Sequence, residues 1–167
     1  MPEGLSPIQN TPSLARRMAC WMYEGVLLFG VVFISGYLFS ALTQTRHALD
    51  NRHWHQAFLF VVFGIYFVWF WFRGQTLAMK TWHIRIVNMH GKQVSQKQAF
   101  LRYLLSYFWF IPPLLFVYLT DQRSTAVMSF AFVGWISFYA LLAKVHKSRQ
   151  FLHDVLARTQ LVDTKPR

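Results

Sequence analysis

An arginine and two acids are the residues of this chain best suited to bind a proton or a cation. Arg17 stands just before a long apolar stretch, Glu24 lies inside that stretch, and Asp154 lies near the end of the chain. Arg17 and Glu24 are seven residues apart, which places both on one helix face about 10 Å apart along the axis. A carboxylate among apolar side chains is costly without a polar partner or water. We therefore expect Glu24 and Asp154 each to contact an arginine, with Arg17 as the first candidate and Arg102 as the second.

The charged cluster of Arg17, Glu24, Arg102 and Asp154 has three interpretations. In the first, two carboxylates near an arginine exchange a proton or accept a cation at a cytoplasmic vestibule. In the second, the same charges form a buried ion-pair network that pins the C-terminal segment against the first helix. In the third, the charges are exposed and make no mutual contact. Asp154 and Arg158 also have the spacing of a favourable helical pair on their own.

The composition is that of a small integral membrane protein. Of 167 residues, 54% are hydrophobic and only 14% are charged, whereas a soluble domain carries about a quarter charged residues. The net charge of +11 comes from basic residues that flank the apolar runs. This arrangement favours anionic lipid head groups as partners over nucleic acid. The single cysteine, Cys20, excludes an intrachain disulfide, and we expect the first apolar stretch to be retained rather than cleaved as a signal peptide.

Four apolar stretches are long enough to cross a membrane. They cover residues 18–42, 57–72 (extended back to Trp54), 103–119 and 126–143. Pro112 and Pro113 lie in the middle of the third stretch and predict a kink there. Of the 17 basic residues, 14 lie in the N-terminal tail, in residues 73–102 or in the C-terminal tail. Four spans with both termini in the cytoplasm satisfy this asymmetry.

The segment between the second and third spans is polar, and residues 82–88 alternate as a strand does. We expect a hairpin in which 84–87 pairs with 93–94 around Gly91, with 159–162 as a third strand. Ser95 would cap a short helix running from Lys97 to Arg102. A further short amphipathic helix is predicted from 151 to about 157. The predicted fold is an all-α membrane protein with four transmembrane helices and a small cytoplasmic β-ribbon at the membrane surface.

Four short motifs occur in order along the chain. They are Arg17 followed by Glu24, Gly74-Gln75-Thr76 with Lys80 and the 84–87 strand, Ser95 to Arg102, and His153-Asp154 through Ala157-Arg158-Thr159. Together they resemble the RDD family of small bacterial membrane proteins. Glu24 replaces the family's Asp, and Arg158 stands where Gly is usual. The resemblance covers one domain, 14–162, between tails at 1–13 and 163–167. It implies a bacterial inner-membrane protein, and a transport role has been suggested for the family.

Gly74, Gln75 and Thr76 have a local and a functional interpretation. Gly74 can end the second helix in the left-handed conformation, and Thr76 can cap the next helix. Alternatively, Gln75, Thr76, Lys80 and His153 line a polar vestibule that faces a ligand.

A metal site and an enzymatic site are both disfavoured. His53 and His55 lie on one side of an extended chain, and His47 is close in sequence, but only Asp50 could complete a metal site with them. The chain carries no nucleophile–base arrangement, phosphate loop or zinc motif. We therefore expect no metal, no cofactor and no enzyme.

Two functions remain open. One is transport of an ion or small solute, which with only four helices requires a homo-oligomer or a membrane-protein partner. The other is a non-transporting membrane scaffold or accessory subunit in which the charged cluster is a structural ion-pair network.

Overall fold

The computed structural model describes residues 11–43, 52–121, 124–145 and 148–165. The elements in chain order are α1 (Leu14–Thr43), α2 (Arg52–Phe72), α3 (Leu77–Thr81), β1 (Ile84–Asn88), α4 (Gln96–Ser106), a 3-10 turn (Tyr107–Trp109), α5 (Ile111–Thr120), α6 (Thr125–Val145), α7 (Leu152–Leu156) and β2 (Thr159–Asp163). Strand β1 lies between α3 and α4, and β2 follows α7 as the last element. The two strands pair and mark the end of the molecule at which α1 begins, because Arg16 contacts Asp163 there. We call this end the ribbon end.

Four helical segments are long and apolar enough to span a membrane, as predicted. They are Leu14–Leu42, His53–Thr81, Gln96–Thr120 and Thr125–Val145. Their outward faces carry large apolar side chains, such as Phe33 and Phe130, which are 71% and 79% exposed. Such faces are stable in lipid because lipid tails solvate them, whereas in water they would drive association. The first helix begins four residues earlier than the predicted span.

The third span is interrupted rather than kinked at its prolines. Helix α4 ends at Ser106, the 3-10 turn follows, and α5 begins at Ile111. Pro112 and Pro113 therefore lie in the first turn of α5, and not in the middle of a continuous helix as predicted. The first turn has no intrahelical acceptors for its N–H groups, so proline removes nothing there. The start of α4 agrees with its prediction, since Ser95 and Gln98 form a reciprocal capping box.

The ribbon contains the predicted outer strand but not the predicted hairpin. Strand β1 pairs antiparallel with β2, with Ile86 opposite Leu161. Residues 93–94 form no strand, so the pairing predicted around Gly91 is wrong. The Asn88 side chain accepts hydrogen bonds from the backbone of His90 and Lys92 and closes a turn. Ser95, only three residues after Lys92, already caps α4. The chain therefore leaves the ribbon before residues 93–94 can form a strand.

The described segments that precede α1, join α2 to α4 and follow α6 converge on the ribbon end. Helix α1 begins there, because Arg16 donates hydrogen bonds to the Asp163 carboxylate at the end of β2 and, at 2.6 Å, to the carbonyl of Trp82. The Arg16 guanidinium holds the pKa of Asp163 below its usual range. The described beginning and end of the chain therefore lie on the same side, as four spans require. Strand β2 extends one residue past the predicted domain boundary.

The small residues of α1 differ in what they contact within the chain. A Cβ atom built on Gly25 or on Gly30 would meet no neighbour within 4 Å among the described residues. Only Gly36 is approached, at 3.7 Å, by the His55 ring. Ser35 is buried. Gly25 and Gly30 therefore face outward, whereas Ser35 and Gly36 lie against other parts of the chain.

Candidate functional site

Arg17 and Glu24 lie on the same face of α1, as predicted. Both side chains are buried, with 5% and 8% exposure, while Met22 and Val26 of the same helix are 66% and 70% exposed. Seven residues of helix thus place an arginine and a carboxylate on the inner face of α1, as their spacing predicts. What these side chains contact differs from the prediction.

Glu24 binds hydroxyl groups rather than an arginine. The phenol of Tyr66, from α2, donates a hydrogen bond to one carboxylate oxygen at 2.7 Å. The hydroxyl of Thr76 donates to the other oxygen and also accepts the backbone N–H of Met79, so Thr76 caps α3 as predicted. Among the described residues no basic side chain forms an ion pair with Glu24, and the predicted arginine contact is wrong. Helix packing brings two neutral donors to this carboxylate, which satisfies it without a counter-charge.

Asp154 forms the predicted contact with the second candidate, Arg102. The Arg102 Nε atom lies 2.7 Å from Asp154 Oδ1, and both side chains are almost fully buried. The Arg102 guanidinium also lies over the Trp71 ring, 4.0 Å from its centroid. This ion pair joins α4 to α7 and therefore holds the C-terminal segment against the bundle.

Arg17 does not pair with either carboxylate. Its guanidinium lies over the Phe151 ring at 4.6 Å, and Asp154 is near enough to interact with it electrostatically. Its Nε and Nη1 atoms have no hydrogen-bond partner in the described part of the chain, and the same holds for Asp154 Oδ2. The structure thus divides the predicted cluster into a hydroxyl-bound Glu24, a paired Arg102–Asp154, and an Arg17 with free donors.

The predicted polar vestibule does not assemble as one group. Thr76 contacts Glu24, and His153 lies beside Asp154, with Nε2 3.5 Å from Oδ1. Gln75 instead donates to the carbonyl of Ile84 at 2.9 Å and holds the start of β1. Lys80 is exposed. Gly74 adopts a φ of +94° after the end of α2, as the local interpretation predicts.

The surroundings of His153 favour its neutral form. The Tyr139 hydroxyl accepts the His153 backbone N–H and lies 3.0 Å from Nδ1, to which it can donate. This leaves the ring proton on Nε2, the nitrogen that faces Asp154. Burial lowers the pKa of His153 to about 4, and the nearby Arg102 charge adds to this while Asp154 opposes it.

We expect this histidine to make the protein acid-sensitive. Because its folded pKa lies below the ordinary 6.5, the unfolded chain takes up more protons as pH falls, so stability is lost between pH 6.5 and about 4. The loss attributable to His153 is at most about 3 kcal/mol. Thermal unfolding in a mild detergent across this pH range measures it. His153→Gln should flatten the profile, the exposed His90→Gln should leave it unchanged, and equal slopes in all three proteins would refute the assignment.

The metal interpretation gains no support from the described histidines. His55 stacks on Phe39 with ring centroids 4.9 Å apart. No group of three or more His, Cys, Asp or Glu side chains in the described ranges could hold a metal ion. His47 and Asp50 lie outside the described residues.

Two hydroxyl partners in the site were not predicted from the sequence, Tyr66 beside Glu24 and Tyr139 beside His153. Tyr66 is the only ionisable residue in 57–72, and this could have marked it as a polar partner for Glu24. Tyr139 carried no comparable signal, because a tyrosine near the end of a span is also typical of the membrane interface.

The family model described as RDD family matches residues 11–158. The match includes all eight predicted site residues and both carboxylate sites. This chain belongs to the RDD family. Comparison with curated proteins and with solved structures gave no match. In this RDD protein the charged positions of the first helix and of the C-terminal motif come to the same end of the molecule. They do so in two separate contacts, at Glu24 and at Asp154.

Proposed function

We propose that this RDD protein moves an ion or small solute across the bacterial inner membrane, with Glu24 as the group that binds a proton or cation. The observation that carries the proposal is the environment of Glu24. It is a buried carboxylate in a membrane-spanning helix whose described partners, Tyr66 and Thr76, are neutral hydroxyls. An ionisable residue inside a span is costly and is therefore retained for function by default.

The neutral partners distinguish Glu24 from Asp154. A carboxylate held by an arginine must break an ion pair before it releases its charge or takes up a proton. A carboxylate held by two hydroxyls can gain a proton or coordinate a cation while the hydroxyl oxygens remain available as further ligands. Glu24 is thus the better exchange site, and the Arg102–Asp154 pair supports the framework around it.

The proposed orientation in the membrane rests on the distribution of basic residues, and the proposed oligomer rests on the outward-facing small residues of α1. The basic residues concentrate at the ribbon end, which the positive-inside rule assigns to the cytoplasm together with both termini. Four helices are few to enclose a pathway. The outward-facing small residues Gly25 and Gly30 favour close packing against a second copy or a partner helix. The proposal assigns no catalytic reaction and no cofactor to the protein.

A second function is supported by a different observation. The Arg102–Asp154 pair is buried and joins α4 to α7, as a purely structural network would. In this alternative the protein is a membrane scaffold or accessory subunit, and Glu24 only links α1 to α2 and α3.

A flux assay of Glu24→Gln separates the two functions. Purified protein in liposomes that enclose a pH-sensitive dye is challenged with Na⁺, K⁺ or Li⁺ gradients. Transport predicts that the wild type dissipates a pH or cation gradient and that Glu24→Gln lowers this rate at least about tenfold, while its unfolding temperature stays within a few degrees. The amide keeps the shape and accepts hydrogen bonds but cannot exchange a proton.

The control is Asp163→Asn, which alters an acid at the ribbon end without touching Glu24. It should retain wild-type flux. Wild-type liposomes that pass none of these ions, or Glu24→Gln with unchanged flux, would contradict transport through Glu24. If the wild type shows no measurable flux and Glu24→Gln lowers stability in liposomes, the two results together would support the scaffold function.

A further inference from the structure

A cavity of about 340 Å³ opens at the ribbon end between the start of α1 and the end of α6. It is lined by Thr11, Pro12, Ser13, Leu14, Arg17, Ala143, Lys144 and Arg149. Three of these residues are basic and none is acidic. The volume falls within the range of sites that hold a small ligand or a ligand head group.

Arg17 lines this cavity and carries hydrogen-bond donors without partners among the described residues. It is only 5% exposed, it lines the cavity, and its Nε and Nη1 atoms have no partner among the described residues. The Phe151 ring stacks on one flat face of the guanidinium, and the N–H groups of a guanidinium point outward from its edge. Buried donors without acceptors are costly, and a guanidinium edge fits two oxygens of a phosphate or carboxylate.

The rest of the lining is suited to the same ligand. The 30-residue helix α1 begins at the cavity, and a helix N-terminus attracts negative charge. Lys144 stands in the last turn of α6, where its charge offsets the negative end of that helix. The Thr11 hydroxyl accepts a hydrogen bond from Gln150 at 3.3 Å, and Gln150 is tied in turn to the backbone of Leu161 in β2. The segment before α1 is thereby fixed to the ribbon.

We propose that this cavity is a binding site for a phosphate group, held by Arg17 and flanked by Lys144 and Arg149. The group belongs either to the head of an anionic lipid or to a small soluble phosphate. A phosphate is favoured over a carboxylate because three cations and a helix N-terminus match a group with several charged oxygens. The site is separate from Glu24 and does not depend on transport.

The test measures binding to the full chain in an uncharged detergent. The probes are phosphatidylglycerol, phosphatidylcholine and inorganic phosphate, with chloride at matched ionic strength. Native mass spectrometry gives the stoichiometry and Kd for the lipids, and the shift in unfolding temperature gives the Kd for phosphate. We expect one phosphatidylglycerol or one phosphate per chain, and a Kd weakened about tenfold or more in Arg17→Gln.

Two further variants keep the result interpretable. Lys144→Gln/Arg149→Gln changes exposed side chains, so it should fold normally and still weaken binding severalfold. Arg73→Gln is the control, because Arg73, like Arg17, stacks on an aromatic ring, here that of Trp69, but does not line the cavity. Preference for phosphatidylglycerol over inorganic phosphate assigns the lipid head group, and the reverse assigns a soluble phosphate. Binding no tighter than that of chloride or phosphatidylcholine, or equal losses in Arg73→Gln and the cavity variants, would overturn the proposal.

Discussion

Replacement of Asp154 by Ala is expected to lower the free energy of unfolding by about 3–5 kcal/mol. The change leaves the Arg102 guanidinium buried over Trp71 without its ion-pair partner. It also removes the carboxylate that faces the His153 ring. A buried charge without a partner is among the most destabilising features a substitution creates, because water can no longer solvate it. Unfolding in mixed micelles at increasing SDS fraction measures the loss.

Two comparisons show whether the loss comes from the orphaned charge. Arg102→Met/Asp154→Leu removes both charges and keeps side-chain volume, so it should recover most of the stability. Asp163→Ala breaks the more exposed pair with Arg16, whose side chains are about a quarter exposed, and should cost about 1 kcal/mol or less. If Asp154→Ala costs no more than Asp163→Ala, the buried pair does not hold α4 to α7.

Ile86→Ala is expected to cost about 2–5 kcal/mol. Ile86 is fully buried and lies opposite Leu161 in the ribbon. Its backbone N–H donates to the carbonyl of Gly74 at 2.8 Å, which ties β1 to the end of α2. Truncation leaves a cavity where helices and ribbon meet, and a two-stranded ribbon has little stability of its own with which to compensate. The same micelle unfolding experiment measures the change.

The matched control is Met89→Ala, one residue past the end of β1. Met89 is 52% exposed, so the same kind of truncation there should cost less than about 1 kcal/mol. Equal losses at Ile86 and Met89 would mean that the ribbon does not pack on the bundle as described.

Three features that depend on near neighbours in the sequence were predicted correctly. Apolar length determines the four spans, because only a helix satisfies its own backbone in lipid. The caps at Thr76 and Ser95 need only residues within three positions. Alternation of apolar and polar residues predicted both strands of the ribbon, since side chains of a strand alternate between its faces.

Features that depend on distant residues were decided by the tertiary structure. Glu24 meets donors 42 and 52 positions away, and nothing local to Glu24 shows that hydroxyls reach it before Arg17 does. Strand β1 pairs with β2 instead of residues 93–94, because Ser95 must begin α4 and draws the chain out of the ribbon. The break in the third span falls just before Pro112 and Pro113, which places both prolines in the first turn of α5.

The sequence by itself determined the membrane-spanning architecture and the placement of Arg17 and Glu24 on one inner helix face, since helix periodicity and hydrophobicity act locally. Only the tertiary structure decided that Arg102 pairs with Asp154, that Glu24 is held by hydroxyls, and that Arg17 lines a basic cavity. The physical reason is that a buried polar group takes whichever partner the packed helices bring within hydrogen-bond distance. That choice is set by how the helices pack in three dimensions and not by spacing along the chain.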